Sequence, residues 1–280
     1  MIKWEIKRAI CNKNTFTVLI VGFVIVLLHS IYCYKYLLPF FDAESIYYYF
    51  DTAVNVSFIQ AWIGGEPFSV YNEVFYYVLF PIFAALPFAA SAKSEDNNGY
   101  NKIVITKVGR IKYHISKYIA AFLSGGIVVT VISVVSLMIA MSWLPVRPLS
   151  PYSHQSGVTN VSIFAYEFYN YPLIYAVVYI IIDFIIAGLF AGIALSLNYI
   201  VRNKYMICII PSLVNMFIVN ILDYAPQPIN KLLYFIPYVY INPICLLDVK
   251  LIHIFVSAII MFICSFFFFL ICGKKRNYLM

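Results

Sequence analysis

Residues 171–201 read YPLIYAVVYIIIDFIIAGLFAGIALSLNYIV, and Asp183 is the one charge in this run of 31 residues. A helix needs roughly 20 predominantly apolar residues to cross the hydrocarbon core of a bilayer. The run exceeds that length, and a single interior charge does not prevent insertion, although it is costly. The stretch therefore predicts a transmembrane helix and places the chain among integral membrane proteins.

The composition of the whole chain supports the same class. Its 280 residues are 63% hydrophobic and 11% charged, and their mean hydropathy is +0.88. Soluble domains carry roughly 25% charged residues, and a globule of this size could not hide so much apolar surface from water. The composition excludes a cytosolic enzyme, a disordered chain and a secreted disulfide scaffold.

Five more apolar runs on either side of residues 171–201 are candidates for membrane spans. Pro81 and Pro87 interrupt the second run along the chain, and we expect them to kink that helix rather than end it. The predicted fold is all-α, with six transmembrane helices. Their predicted ranges are 15–38, 74–92, 118–142, 171–201, 205–222 and 251–273.

The uncharged stretch Leu232–Leu247, within the connection 223–250, competes for the role of a seventh span. It is only sixteen residues long and contains Pro237 and Pro243, which suits a re-entrant or interfacial segment on the outer side. A seventh span would also move the basic tail Lys274–Arg276 to the outer side. Six spans therefore remain the prediction.

The placement of Lys and Arg favours six spans with both termini in the cytoplasm. In that topology the cytoplasmic segments hold fifteen of the 19 cations, which is a strong positive-inside bias. The net charge of +7 then indicates attraction to anionic lipid rather than to nucleic acid. We expect a multi-pass protein of a bacterial cytoplasmic membrane, with membrane lipids and no nucleic acid as partners. The four outer cations are Lys35, Arg147, Lys231 and Lys250.

The amino-terminal residues 1–14, MIKWEIKRAICNKN, mix apolar and basic side chains. Ile2, Ile6 and Ile10 lie four residues apart, which gives a helix a rough apolar stripe. Such a helix can rest in the inner membrane interface. The alternative is a charged topology anchor without a partner, and the spacing does not decide between the two.

The outer connections 39–73 and 143–170 are longer than anchoring requires and are rich in aromatic residues. The first contains five carboxylates and no Lys or Arg. Tyr and Trp prefer the boundary between membrane and water, so an interfacial belt explains them. The sharper alternative is a substrate exit lined by aromatic rings.

The inner connection 93–117 reads KSEDNNGYNKIVITKVGRIKYHISK. Its acids, Glu95 and Asp96, precede a short apolar pattern, and its bases follow that pattern. A helix with acids at its start and bases at its end suits docking to a soluble partner. The alternative is a solvated turn whose lysines only fix the topology.

The pattern E-D-x-x-G-(x)10-R-(x)6-K, formed by Glu95, Asp96, Gly99, Arg110 and Lys117, resembles the segment after the second span of type-2 ATP-binding-cassette exporter permeases. The resemblance runs over nearly the whole chain, and it depends on the order and topology of its motifs. Its other motifs are LFPIFAALPF at 79–88, NYIVRNK at 198–204 and PYVYINP at 237–243.

This resemblance implies a half-transporter that pairs with a second permease, identical or homologous, and docks a cytosolic ATP-binding subunit. Residues 1–14 would be the elbow helix, and Glu95–Ile105 would be the coupling helix. Glu95, Asp96, Gly99, Arg110 and Lys117 would couple to the ATPase. The chain contains no G-x-x-x-x-G-K-[ST], so ATP and Mg²⁺ would be bound by the partner and no cofactor by this chain. Without H-E-x-x-H or G-x-S-x-G either, we expect a transport subunit and not an enzyme.

Two features inside the predicted span 171–201 remain. Asp183 is a candidate for the transport pathway or for a helix interface, and a polar contact between helices explains it equally well. Gly188 and Gly192 form G-x-x-x-G, a spacing that lets helices approach closely.

The sequence thus favours the permease of an exporter, whose substrate we expect to be an antimicrobial or other amphipathic peptide because the outer loops are aromatic and acidic. One alternative is a secondary transporter or channel that needs no ATPase. The other is a non-transporting membrane sensor or immunity protein.

Overall fold

The computed structural model describes residues 1–37, 57–65, 69–149, 158, 162–244, 247 and 249–275. These residues form helices and no strand. Five of the helices are long and apolar enough to cross a membrane, which is typical of a multi-pass membrane protein and confirms the all-α class. The five are Lys13–Lys35, Arg110–Trp143, Pro172–Tyr199, Lys204–Asp223 and Leu251–Gly273.

We number the helices of this part of the chain in order. Short 3-10 helices at Phe58–Gln60, Leu197–Tyr199 and Ile229–Phe235 lie between them. The numbered helices are α1 (Ile2–Ile10), α2 (Lys13–Leu37), α3 (Val70–Ala85), α4 (Ser91–Asn97), α5 (Tyr100–Val108), α6 (Arg110–Trp143), α7 (Ala165–Asn170), α8 (Pro172–Ser196), α9 (Lys204–Asp223), α10 (Pro237–Ile241) and α11 (Leu251–Lys275).

The predicted second span, 74–92, corresponds to the shorter apolar helix α3 and the turn after it. A π-helical segment occupies Phe75–Leu79 within α3. One helical hydrogen bond lies past the end of α3: Ala89 N donates to Ala85 O at 3.0 Å. The described residues therefore hold five helices long enough to span a membrane and one shorter apolar helix, and six membrane crossings remain a prediction.

Helices α6 and α8 form the centre of the bundle. In the most apolar 18-residue stretch of each of these two helices, half of the residues are buried, against 22–28% for the other three long helices. Glycine makes their close approach feasible. A Cβ on Gly188 would lie 2.6 Å from the Phe122 ring, and a Cβ on Gly192 would lie 2.7 Å from the Tyr118 hydroxyl. Gly188 and Gly192 thus pack against α6 of the same chain.

The bundle has two chemically different ends. At the end where α2, α6 and α9 begin, the Asn12 side chain donates to Pro87 O and Lys93 N donates to the Asn198 side chain. We call this the charged end, because α1 and α4 bring their ionised side chains there. The other end, where α3, α8 and α11 begin, we call the neutral end.

Residues 57–65 form a buried segment at the neutral end, and we call it the buried loop. Its side chains from Ser57 to Ile63 are at most 2% exposed. The Trp62 indole N–H donates to Ser133 O, 3.2 Å away in the middle of α6, and Ile63 N donates to the Ser136 hydroxyl at 3.0 Å. Most of the predicted outer connection 39–73 lies outside the described residues, but this part of it enters the bundle.

The connection 223–250 also packs into the neutral end. Helix α10 buries Val239, Tyr240 and Ile241, and the Tyr240 hydroxyl shares a 2.7 Å hydrogen bond with the Ser257 hydroxyl of α11. Its helices are too short to span a membrane. The re-entrant assignment remains a prediction.

Candidate functional site

A network of ionised side chains at the charged end is centred on Glu95 of α4. The Arg8 guanidinium of α1 donates to Glu95 Oε1. Lys117 Nζ of α6 lies 2.5 Å from Glu95 Oε2, and the Tyr113 hydroxyl donates to the same oxygen at 2.6 Å. One carboxylate therefore joins α1, α4 and α6.

Glu5 completes the ionised network. Its Oε2 lies 3.0 Å from Arg8 Nη2, one helical turn further along α1. The side chains of Glu5 and Lys117 are fully buried, that of Glu95 is 9% exposed and that of Arg8 is 29% exposed. Two carboxylates and two cations thus balance each other. Balance is essential here, because an uncompensated buried charge costs several kcal/mol.

Aromatic rings cover both cations of the network. The Arg8 guanidinium lies 5.0 Å from the centre of the Trp4 ring and 5.3 Å from that of Phe88. Lys117 Nζ lies 5.3 Å from the ring centres of both Phe88 and Tyr113. The rings exclude water and add cation–π attraction, which strengthens the electrostatic contacts inside.

The two carboxyl groups respond differently to this environment. Burial raises the pKa of Glu5 above its ordinary value, although Lys117 and Arg8 act in the opposite direction. Burial would raise the pKa of Glu95 too, but the charge and hydrogen bonds of Lys117, Tyr113 and Arg8 outweigh it and hold that pKa below its ordinary value. Glu95 is therefore the well-stabilised anion, and Glu5 is the costly one.

Asn12 fixes the corner between α1 and α2 that brings Arg8 to Glu95. Its side-chain amide donates to Ala9 O at 2.7 Å and to Pro87 O at 2.9 Å. Its side-chain oxygen accepts a 2.8 Å hydrogen bond from Thr15 N in the first turn of α2, which is the geometry of an N-cap. One residue therefore ends α1, begins α2 and anchors both to the turn after α3.

Helix α1 lies within the predicted segment 1–14, but its buried face is not the isoleucine stripe. Glu5 and Ala9 are its buried residues, whereas Ile2 is 43% exposed. The ion pairs with Arg8 and the contact with α6 draw Glu5 inward. The elbow-helix assignment itself remains a prediction.

The five residues of the E-D-x-x-G-(x)10-R-(x)6-K pattern occupy different places around this network. Glu95 and Lys117 meet directly, and Asp96 accepts a 2.5 Å hydrogen bond from the Asn101 amide. The Asn101 side chain also lies against the Tyr113 hydroxyl, whose one hydrogen is shared between Asn101 Oδ1 and Glu95. The other two lie on either side of α5, with Gly99 before it and Arg110 at the first position of α6.

Helix α5 forms the tip of the charged end. Gly99 and Gly109 bound it with φ values of +68° and +88°, a conformation that favours glycine, and a Cβ on either would meet open space. Ile103 is 58% exposed, and Thr106 and Lys107 are exposed as well. An exposed mixed face therefore lies beyond a buried ionic layer.

Asp183 lies inside the bundle, with no exposed surface. Its Oδ2 faces the Tyr76 hydroxyl of α3 at 3.5 Å, and its Oδ1 has no hydrogen-bond partner within the described part of the chain. Tyr76 belongs to the π-helical segment of α3, and π segments are frequent at functional sites. Asp183 therefore contacts another helix of its own chain.

Sequence reasoning missed Glu5, Arg8, Tyr113 and Asn101 as members of the network. The signal for the first two was present: Glu5 is the one acid in residues 1–14, and Arg8 follows it by three residues. Nothing in the sequence marks Tyr113 or Asn101, because their roles depend on how α4, α5 and α6 turn back on each other.

Within the described ranges no group of three or more His, Cys, Asp or Glu side chains could hold a metal ion. Comparisons of the chain with protein-family models, with curated proteins and with solved structures found no match.

Proposed function

We propose that this chain is the permease subunit of an ATP-driven exporter in a bacterial cytoplasmic membrane, with six crossings and both termini in the cytoplasm. The observation that carries the proposal is the network of Glu5, Arg8, Glu95 and Lys117 at the charged end. It ties the amino-terminal helix and the segment before α5 to the longest helix, as a transmitter of force requires.

The proposed mechanism follows from this connection. A cytosolic ATPase, which holds ATP and Mg²⁺, binds the exposed face of α5. Its closure displaces α5 and α4, and the displacement passes through Glu95 and Tyr113 to α6. Because α6 has 34 residues and packs at the centre of the bundle, its movement shifts the spans as rigid bodies. A second permease, identical or homologous, completes the pathway.

The substrate that the sequence favours is an amphipathic peptide, such as an antimicrobial peptide. Its support is the charge of the predicted outer segments, where carboxylates outnumber cations eight to four among many aromatic rings. Asp42, Glu44, Asp51, Glu66 and Asp248, five of these eight carboxylates, lie outside the described residues.

The test is affinity purification of the tagged chain from host membranes in mild detergent, with mass spectrometry and an ATPase assay on what is recovered. We expect a Walker-motif protein and ATP turnover. Ile103→Asp, on the exposed face of α5, should abolish recovery of that protein. Ile200→Asp is the matched control, because Ile200 is 65% exposed at the same end but outside α5.

Two results would contradict the exporter proposal. One is a chain recovered alone, without nucleotide turnover, even after crosslinking in the membrane. The other is equal loss of the ATPase from both isoleucine variants, which would point to general disruption of the charged end.

Asp183 favours a secondary transporter as the second candidate. A carboxyl group in the bundle interior, facing Tyr76, could carry a proton through a transport cycle. In proteoliposomes, flux driven by a proton gradient without nucleotide and abolished by Asp183→Asn would support this candidate. Absence of flux under both energy sources would favour a sensor or immunity protein.

A further inference from the structure

A cavity of about 330 Å³ opens at the charged end, beside the ionic network. The corner between α1 and α2 forms one side, the turn after α3 forms another, and the start of α9 closes it. Three cations line the cavity: Arg8, Lys13 and Lys204. The Asn12 hydrogen bonds to Ala9 O and Pro87 O hold two of its walls together.

The charges that line this cavity favour an anion. Glu95 is the carboxylate among the lining residues, and it is already bound by Arg8, Lys117 and Tyr113. Lys13 and Lys204 are exposed, and neither forms an ion pair with a carboxylate of the described residues. Two cations are therefore available to a ligand.

Neutral groups in the wall extend the site beyond a charge pair. Ser91 and Ser94 of α4 are among the lining residues. Leu86, Pro87 and Phe88 lie just before Ser91 in the same wall, and the half-buried Leu86 supplies apolar surface. A ligand that fills the cavity thus needs an anionic group and an apolar part.

The position of the cavity relative to the candidate spans indicates how deep in the membrane a ligand would lie. Lys13 begins α2 and Lys204 begins α9, and both helices are long and apolar enough to cross a membrane. Two lysines at the first residue of two spans lie where lipid headgroups meet water. The open cavity therefore lies at the membrane surface and not in free solution.

We propose that this cavity binds the phosphate-bearing headgroup of an anionic membrane phospholipid. Lys13, Lys204 and Arg8 attract the phosphate. Leu86 contacts the apolar part below the headgroup. Inorganic phosphate shares the anionic chemistry, but it would leave that apolar surface uncovered.

The test uses the purified full-length chain and counts bound lipid by native mass spectrometry, with phosphatidylglycerol against phosphatidylcholine. The double variant Lys13→Gln/Lys204→Gln should weaken binding of phosphatidylglycerol about 25-fold, at about fivefold per lysine near a membrane surface. The control Lys7→Gln/Lys107→Gln removes the same charge from exposed positions that do not line the cavity. It should bind like the parent chain.

A second pair of variants adds charge instead of removing it. Ser94→Glu introduces a carboxylate at the cavity wall and should weaken binding at least fivefold, whereas Thr106→Glu, exposed on α5, should not. Equal binding of both lipids, or equal loss in the cavity variants and their controls, would overturn the proposal. Displacement of the lipid by millimolar inorganic phosphate would overturn the lipid assignment and leave a phosphate site.

Discussion

The two ends of the bundle satisfy their buried polar groups with different chemistry. At the charged end, Glu95 is bound by two cations and a tyrosine. At the neutral end, the buried loop is held by the Trp62 indole on a backbone carbonyl of α6 and by Ile63 N on the Ser136 hydroxyl. The charged end depends on mutual charge compensation, so that loss of one member leaves a buried charge without its partner. The neutral end depends on shape, because these contacts of the buried loop join neutral groups.

Other contacts at the neutral end follow the same rule. The Tyr175 hydroxyl donates to Pro243 O at 2.8 Å, and the His29 ring lies 2.9 Å from the Ser69 hydroxyl. A neutral hydrogen bond requires less desolvation than an ion pair, and its strength varies little with pH and salt. The two ends should therefore differ most clearly when charge is removed.

The largest expected effect comes from Lys117→Met, which removes a cation with no exposed surface. Glu95 and Glu5 then share Arg8 alone, and we expect a loss of about 3–5 kcal/mol of unfolding free energy. Denaturant titration in detergent measures it. The double variant Lys117→Met/Glu95→Gln should recover part of the loss, because it leaves Glu5 and Arg8 as a matched pair. If the loss in the double variant equals the sum of the losses in Lys117→Met and Glu95→Gln, the two residues are independent and the contrast between the ends is wrong.

The second effect tests the neutral end. Trp62→Ala should cost about 3 kcal/mol, because a ring with no exposed surface leaves a cavity beside α6. Trp62→Phe keeps most of the ring and loses the hydrogen bond to Ser133 O, so it should cost about 1 kcal/mol. Neither cost should change with pH near neutrality. A cost below 0.5 kcal/mol for the alanine variant, roughly that of a surface substitution, would mean that the loop does not hold this end.

A smaller effect distinguishes the two carboxylates by the pH dependence of the unfolding free energy. The pKa of Glu95 is lowered from 4.5, so its stabilisation is present above the unfolded pKa and is lost as pH falls through the folded value. The pKa of Glu5 is raised from 4.5, so its protonated form stabilises the fold at acid pH, and that contribution is lost as pH rises through the folded value.

Substitution by glutamine makes these opposite signs measurable. Relative to the parent chain, Glu5→Gln should become more favourable as pH rises from 4 towards 7, and Glu95→Gln should become less favourable. Unfolding free energies at four or five pH values give both slopes. Slopes of the same sign would show that the two carboxyl groups do not differ in the way that their burial and partners indicate.

The smallest effect concerns Asp183, between the two ends. Asp183→Asn keeps the shape of the side chain and removes its ability to ionise, while Tyr76 retains a polar neighbour. We expect a change below 1 kcal/mol in stability. Asp183→Leu is the comparison, and it should cost more because Tyr76 then loses its acceptor. A large loss of unfolding free energy in the asparagine variant would show that Asp183 stabilises the bundle through its charge, like the carboxylates of the charged end, and not through a neutral contact.

Much of the helical framework could be predicted from the sequence, because long apolar runs and their bounding charges are visible one residue at a time. Five predicted spans correspond to long apolar helices. The break in 74–92 was predicted only as a kink at Pro81 and Pro87, whereas α3 ends at Ala85 and a turn follows it. The π segment before Pro81 was not predicted, because it depends on how α3 packs on its neighbours.

The candidate site was only half visible. Glu95 and Lys117 stood out as two positions of the pattern E-D-x-x-G-(x)10-R-(x)6-K, but nothing in the pattern predicted that they bind each other, as they do in the structure. The buried loop did not stand out, because Trp62 and its neighbours resemble the aromatic residues of a membrane interface. Burial of a short segment by a helix more than 60 residues later leaves no periodic signal in the sequence.

The contact between Trp62 and Ser133 has a consequence for the order in which this protein is made. A ribosome synthesises Trp62 before Ser133, which lies 71 residues later, so the buried loop cannot form this contact until that part of α6 has been made. The Trp62 indole N–H and Ile63 N therefore lack their partners on α6 until translation has supplied that helix. Completion of the neutral end is thus a late step of biogenesis, whatever the stability of the finished bundle.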